Sequence, residues 1–405
     1  MPRPHVITSF VGLQSYAVVR AKRFHKSWIE LWLEFRGGAY RCGGCGRKFS
    51  QYYDCPLIRL RDLNISQHRV FVWVPRHRVA CPQCGLKRTL SGIAGNRARC
   101  TRRFERWLFR LTKSMTVKDV SELTDVHWTT VKEIEVRYIR ALLRKRNLDG
   151  ITELGIDEVS EKKGHRYLTL VTDLGKRRVI WVGRGRDRAV LKKFFRWFGE
   201  RTRRIRCVVI DMHDPYEHEL RKRCPRAKRI YDHFHVIKPL NLAIDLIRRR
   251  LQNEMPPEER RYIKGSRYLL LRPREKLTLK QAVRLKELFA VNEPLNVAYI
   301  LKEDLRSIFR IRDPKEARRE FRAWKQRVKE SAIPELIAYL KMLNRRRFGI
   351  QNFFKYRRTN GLSEGFNNVV KTIKKNAYGF HDWTYFRLKI LRKCGNLEKK
   401  SVDRL

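Results

Sequence analysis

Residues 151–216 read ITELGIDEVSEKKGHRYLTLVTDLGKRRVIWVGRGRDRAVLKKFFRWFGERTRRIRCVVIDMHDPY. Four short runs rich in Val, Ile, Leu and aromatic residues punctuate this stretch: LGIDEV, RYLTLVTD, RRVIWVGR and IRCVVID. Runs of that length and composition read as strands, and Leu174-Gly175-Lys176 supplies turn chemistry for a hairpin between the second and third. RAVLKKFFRWFGE reads as a helix ahead of the fourth, and another helix and a short strand, KRIYDHFHV, follow. Three strands, a helix and a fourth strand form the front of a ribonuclease-H-like α/β fold.

The same stretch carries two carboxylates in settings that ordinary surface acids do not have. Asp157 follows the apolar Leu154 and Ile156 within a strand, and Asp211 ends the run Cys207-Val208-Val209-Ile210. Neighbouring strands of one sheet would hold the two side by side. Burying two carboxylates together is unfavourable unless a cation compensates, which makes them metal-site candidates. Carboxylates take hard cations such as Mg²⁺, and two such ions can clamp the attacking and the leaving oxygen of a phosphodiester. A third acid, Glu364 in TNGLSEGFNN, falls in the first turn or so of a helix capped around Thr359 or Asn360. Phe366, Val370 and Ile373 mark the buried face of that helix, and Asn367, Lys371 and Lys375 share its polar side. Taken alone Glu364 reads as compensation of the helix dipole; its weight as a third ligand comes from the other two acids. Asp232 and His235 in YDHFHVIK are secondary candidates for the same pocket, whereas His165, His213 and His218 show no partner pattern.

Charge sets the class of partner. The 405 residues hold 94 Lys+Arg against 41 Asp+Glu, a formal charge of +53, yet 42% are hydrophobic and 11% aromatic, so the excess is spread over folded surfaces. The partner that neutralises such a charge best is the phosphate backbone of double-stranded DNA, through counterion release. A membrane-surface protein would show a lipidation signal or a separate basic amphipathic anchor, and neither is present. No apolar run approaches the roughly 18 residues of a spanning helix, and MPRPHVITSFVG lacks the apolar core of a signal peptide, so the expected location is cytoplasmic.

Upstream, Cys42-Gly-Gly-Cys45 and Cys81-Pro-Gln-Cys84 place two thiolate pairs on knuckle turns, the usual way to build a tetrahedral structural zinc site. The 35 residues between the pairs require a β-hairpin insertion to bring them together, and Cys55 reads as a spare thiol. From Thr101 to Leu143 the apolar residues recur at three- and four-residue steps and predict three or more helices. TVKDVSELTDVHWTTVKEIEVRYI within it reads as a helix-turn-helix, with a turn at Thr124 to Val126. His127, Trp128, Thr129, Thr130, Lys132 and Glu133 at the start of its second helix are the candidates for addressing a DNA groove. From Lys238 to Arg347 the chain again reads as helical, broken at Pro256-Pro257, Pro294, Pro314 and Pro334, and is taken as an insertion ahead of the last catalytic helix. Its basic clusters Arg248–Arg250 and Arg345–Arg347, interleaved with Trp324 and Phe348, fit a DNA-facing clamp, a subunit contact or a solvated decoration.

The expected architecture is therefore multidomain α+β. Residues 1–98 form a Cys₄ zinc domain, 99–148 a helix-turn-helix, 149–237 the first part of the ribonuclease-H-like domain, 238–347 an all-helical insertion and 348–405 the last part with the Glu364 helix.

Nearly the whole chain resembles the ISL-three class of bacterial insertion-sequence transposases. The resemblance rests on GIDEVS, VVIDMHDPY, YDHFHVIK and TNGLSEGFNNVVKTIKKNAYGF. It implies a DDE nuclease in which Asp157, Asp211 and Glu364 are the catalytic triad and bind two Mg²⁺ or Mn²⁺ ions, with one structural Zn²⁺ on Cys42, Cys45, Cys81 and Cys84. The zinc and helix-turn-helix modules would bind the terminal inverted repeats, and the protein would work as a homodimer or higher oligomer on element and target DNA. One ion would activate water, and later the freed 3′-hydroxyl, while the other stabilises the departing oxygen. Two alternatives stay open at this level: a DNA-binding regulator that keeps an inactive nuclease fold, and a structure-specific nuclease without strand transfer.

Overall fold

The structure is a computed structural model, and it describes residues 8, 12, 13, 15–24, 27–90, 92–95, 98–162, 166–212, 214–258 and 260–398. His165 and His213 lie outside these. The chain divides between Lys145 and Arg146 into two compact units.

The first unit opens with a four-stranded sheet. Its strands are β1 (Tyr16–Phe24), β2 (Trp28–Phe35), β5 (Leu57–Ile65) and β6 (His68–Pro75), in the order β1-β2-β6-β5. Alternation of apolar and polar residues gives the sheet one buried face, where Val18, Leu31, Leu33, Leu60, Val70, Val72 and Val74 pack together. Two small ribbons flank it, β3 (Tyr40–Arg41) with β4 (Lys48–Phe49) and β7 (Arg78–Cys81) with β8 (Gly85–Arg88). The β5–β6 hairpin between the ribbons is the insertion that the cysteine spacing requires.

Three helices follow: α1 (Arg102–Leu111), α2 (Val117–Thr124) and α3 (Trp128–Lys145). Thr101 caps the first, accepting the Phe104 N–H, and Thr116 with Asp119 forms a capping box on the second. Phe104, Leu108, Val120, Val131 and Ile134 form their shared core. Asp125, at a φ of 54°, makes the sharp corner between α2 and α3.

The second unit is built on a five-stranded sheet of β9 (Glu153–Lys162), β10 (Arg166–Asp173), β11 (Arg178–Arg184), β12 (Cys207–Ile210) and β13 (Lys228–Tyr231). Its order is β11-β10-β9-β12-β13: the first three strands meander antiparallel, and β12 and β13 run parallel to β9. The crossovers carry α4 (Arg188–Phe198) and α5 (Asp214–Arg223). The fifth strand is shorter than the KRIYDHFHV reading, because Asp232 accepts the Phe234 N–H and starts helix α6 (His233–Glu254). The helical region thus begins at His233 rather than Lys238.

It continues through α7 (Arg260–Ile263), α8 (Arg267–Leu271), α9 (Leu279–Ala290), α10 (Glu293–Ile308), α11 (Pro314–Glu330) and α12 (Pro334–Arg345). Pro294, Pro314 and Pro334 sit in the first turns of their helices, where a missing N–H costs nothing. One of the sequence readings for this region changes. Trp324 is fully buried and donates Nε1–H to the Leu301 carbonyl at 2.8 Å, so it belongs to the core. Arg248 and Arg249 are committed to the buried Asp245 at 3.0 and 2.9 Å, and Arg250 to Glu335 at 2.8 Å. Arg248 and Arg249 thus pair within α6, and Arg250 joins α6 to α12. Asp245→Ala should therefore cost about 3 kcal/mol in thermal or urea unfolding, because it strands Arg248 in a largely buried site.

Three helices close the chain where the sequence predicts one from Thr359: α13 (Arg347–Tyr356), α14 (Leu362–Asn376) and α15 (Trp383–Cys394). Gly379 at a φ of 112° ends the α14 segment, and Asp382 caps α15 by accepting the Tyr385 N–H at 3.0 Å. Glycine freedom followed by an aspartate cap restarts the helix.

Candidate active site

Strands β9 and β12 pair in parallel with Cys207 opposite Glu153, Val208 opposite Leu154 and Val209 opposite Gly155. Carried forward, the same offset sets Asp211 level with Asp157. His235 enters from the first turn of α6, its Nε2 lying 2.9 Å from Asp211 Oδ1. One ligand atom from each of Asp157, Asp211 and His235 lies within 4.8 Å of the others. Asp157 is 8% exposed; its Oδ1 accepts the Glu158 N–H at 2.8 Å and its Oδ2 accepts Asn367 Nδ2–H at 3.0 Å.

Electrostatics follow from this crowding. Burial, and then the neighbouring Asp211 charge, push the Asp157 carboxyl above its ordinary range, against the opposing pull of the Glu158 and Asn367 hydrogen bonds. Burial depresses His235, but its contact with Asp211 and the charges of Asp211, Asp157 and Asp232 outweigh this and raise it. When protonated, His235 sets a positive charge beside the paired carboxylates.

A second layer holds the pieces in place. Asp232 accepts from the backbone N–H of Phe234 and of Asn360, and Asn360 donates Nδ2–H to the Ile156 carbonyl at 3.3 Å. Burial raises the Asp232 carboxyl, yet its bonds to His233, Phe234 and Asn360 bring it below the usual range. This bracket ties the approach to α14 onto β9 and the start of α6. It also explains Gly155, where a Cβ would stand 2.4 Å from Asn360 Oδ1 and 2.9 Å from Leu174 Cδ2. Gly155→Ala should destabilise the second unit by about 1–3 kcal/mol, read as a lower denaturant midpoint.

Glu364 occupies the first turn of α14, one turn before Asn367. It is exposed and stands outside the cluster of ligand atoms formed by Asp157, Asp211 and His235. His235, ranked second by sequence, is in that cluster. Asn367 was legible only as a residue of the polar face of this helix; its spacing of three from Glu364 was the available signal, since residues three apart share a helix face.

In the first unit Cys42, Cys45, Cys81 and Cys84 each offer a sulfur within 4.8 Å of the others, with Cys45 and Cys81 Sγ atoms 3.6 Å apart. Cys55 is not a member. Backbone N–H groups of Cys45 and Gly44 pull the Cys42 thiol down to about 7, while its hydrogen bond with Cys45 and then burial push Cys84 up to about 12. Four sulfurs at this spacing fit one tetrahedral cation. At the helix-turn-helix, Trp128 is 51% exposed, Thr129, Thr130 and Lys132 are half-buried, and Thr129 Oγ1 contacts His127 Nδ1 at 2.8 Å.

Comparison with known proteins places the chain. A transposase family model, that of ISL3, matches residues 154–390, and the helix-turn-helix domain of transposase family ISL3 matches residues 90–139. The chain belongs to the ISL3 family of transposases. A relative within reach of this assignment is the transposase for insertion sequence element IS1001 of Bordetella parapertussis, 35% identical over 95% of this chain and 97% of its own. The transposase for IS1557 of Mycobacterium tuberculosis is 32% identical over 84% of this chain and 82% of its own. Among solved structures, the Drosophila P element transposase strand transfer complex aligns at a TM-score of 0.40 and 10% identity, covering 76% of this chain and 95% of that one. Among the described residues of this ISL3-family chain, no helix is long and apolar enough to cross a membrane.

Proposed function

We propose that this ISL3-family transposase binds the terminal inverted repeats of an insertion sequence, cleaves DNA at the element ends and joins the freed 3′-hydroxyl to target DNA. The observation that carries this reading is the placement of Asp157 and Asp211 side by side on adjacent parallel strands, with His235 against Asp211. The strand order, an antiparallel meander extended by two parallel strands, supports a ribonuclease-H-like catalytic domain.

The residues fit a hard divalent cation. Buried Asp157 lies beside half-buried Asp211, burial and then the Asp211 charge raise the Asp157 carboxyl, and Asn367 Oδ1 is a buried acceptor without a hydrogen-bond partner. Such oxygen donors suit Mg²⁺ or Mn²⁺. Bound there, two such ions would supply the positive charge that a phosphodiester displacement needs at its attacking and departing oxygens.

The chain's own groups have separate tasks. Asp157 and Asp211 are the ligands, with Asn367 Nδ2–H fixing the Asp157 carboxylate. Glu364, exposed one turn before Asn367 on α14, would act as the third acid. His235 Nε2 lies 2.9 Å from Asp211 Oδ1 and, when protonated, offsets the charge of the pair. The four cysteines would hold one structural Zn²⁺, and the helix-turn-helix residues Trp128, Thr129, Thr130 and Lys132 would address the repeat as part of a dimer or higher oligomer.

Purified protein given a labelled element end, a target plasmid and Mg²⁺ or Mn²⁺ should cut the end and join it to the plasmid. Specific binding without cleavage under either cation would indicate a regulator. Cutting of branched DNA without joining would indicate a structure-specific nuclease.

A further inference from the structure

One face of the four-stranded sheet in the first unit packs the core; the other carries a cross-strand ladder that the zinc and helix-turn-helix readings leave without a role. Register aligns Arg20, Trp32, Trp73 and Arg59 across all four strands in one row, and Lys22, Glu30 and Phe71 in the next. The indoles of Trp32 and Trp73 lie at 9° to each other with centroids 6.3 Å apart. The Arg20 guanidinium sits 4.9 Å from the Trp32 ring centre and that of Arg59 3.7 Å from Phe71. Glu30, 9% exposed, accepts from Trp73 Nε1 at 2.8 Å and from Arg59 Nε at 3.0 Å.

Two points select the occupant of this face. Stacked indoles and guanidiniums already occupy the ring faces of this ladder, so it is not laid out as a platform on which unpaired bases stack. What it offers outward is cationic: Arg20 and Lys22 are exposed on the edge strand β1. Arg20 packs on Trp32 of the next strand and Lys22 lies 4.7 Å from the ring centre of Phe24 on its own strand, contacts that hold cations in place at a reduced entropy cost and suit a row of phosphates. The face is also continuous with the DNA-reading corner. Arg69, opposite Trp28 on the outer side of β6, forms an ion pair with Asp125, the residue that turns α2 into α3.

We infer that the outer face of this sheet is a second duplex-DNA contact, in which Arg20 and Lys22 hold backbone phosphates next to the segment engaged by the helix-turn-helix. This rests on the DNA-binding reading of the first unit and extends it to a surface without base-reading groups. It makes the footprint longer than a lone helix-turn-helix would and adds affinity without sequence preference.

The test uses the full chain and two labelled duplexes, one carrying the inverted repeat that flanks the coding region and one of random sequence, with affinity measured across a salt series. Arg20→Ala combined with Lys22→Ala should weaken both duplexes about equally, by about tenfold at moderate salt, and flatten the slope of log affinity against log salt by about two. Arg20→Lys with Lys22→Arg should restore the slope, which a folding defect would not allow. Thr129→Ala with Lys132→Ala should chiefly remove the preference for the repeat. An unchanged slope in the Arg20/Lys22 alanine variant, with repeat preference still lost in the Thr129/Lys132 variant, overturns this inference alone. No loss from either variant overturns the DNA-binding reading of the unit as well. Tighter binding of a single-stranded oligonucleotide than of duplex, abolished by the Arg20/Lys22 alanine variant, would reassign the face to unpaired strands and overturn the duplex proposal.

Discussion

Asp157→Asn and Asp211→Asn should each lower end cleavage and strand transfer by at least about 10²–10³-fold, the scale on which loss of one preorganised electrostatic group acts in a closed site. Each substitution keeps the side-chain shape and removes a charge that the cation pair requires. Glu364→Gln should do the same if α14 delivers it to that site. DNA binding should persist in all three, because the groups expected to read the repeat lie in the first unit. The metal-free proteins should melt at the same temperature as the parent or slightly higher. Burial and the Asp211 charge raise the Asp157 carboxyl, so its ionised form is the costly one in the folded state, and neutralising either aspartate relieves that cost. Cleavage assays and thermal melts on the same preparations separate the outcomes. Activity within about tenfold of the parent would remove that residue from the site. A large fall in melting temperature would mean that the acid has a structural role instead.

Loss of the cation proposed for the four cysteines should have the largest effect on folding. Protein purified without chelator should hold about one Zn²⁺ per chain through dialysis, and Cys42→Ser or Cys81→Ser should abolish this. Apparent binding free energies of structural zinc sites, about 10–16 kcal/mol, equal or exceed the whole stability of an ordinary domain. The first unit should therefore lose its β-sheet signal in either variant, and repeat binding with it, while the second unit keeps its own unfolding transition. Cys55→Ser should leave zinc content unchanged, since Cys55 stands apart from the four sulfurs. Metal analysis with a two-transition unfolding curve checks this. Zinc-free protein with an intact first transition would refute the assignment.

Much of this was legible from residue order because it depends on local rules. Alternating and continuous apolar runs mark strands, three- and four-residue steps mark helices, and CxxC turns announce a metal knuckle whatever lies between them. Asp211 at the end of a four-residue apolar strand and Asp157 after Leu154 and Ile156 were visible in this way. Prolines at 294, 314 and 334 marked helix starts. Other features were misread for equally local reasons. KRIYDHFHV looks β-prone throughout, but the Asp232 carboxylate turns its second half into a helix, and that cap forms only with the Phe234 and Asn360 N–H groups in place. Trp324 reads as an aromatic interleaved with basic residues, but it is buried and its indole N–H is taken by the Leu301 carbonyl.

Residue order by itself carried the family, most of the element types and the spacing that singles out two aspartates and four cysteines, because each rests on short-range pattern or on spacing. Only the tertiary structure decided which groups share the pocket. His235 joins Asp211 because α6 starts where β13 ends, Asn367 reaches Asp157 across 210 residues of chain, and Asn360 approaches β9 because Gly155 leaves room for it. The ladder of Arg20, Trp32, Trp73 and Arg59 exists only in the register of four strands. Contacts of this kind depend on strand register and helix placement, which the packing of the whole unit sets and no local window contains.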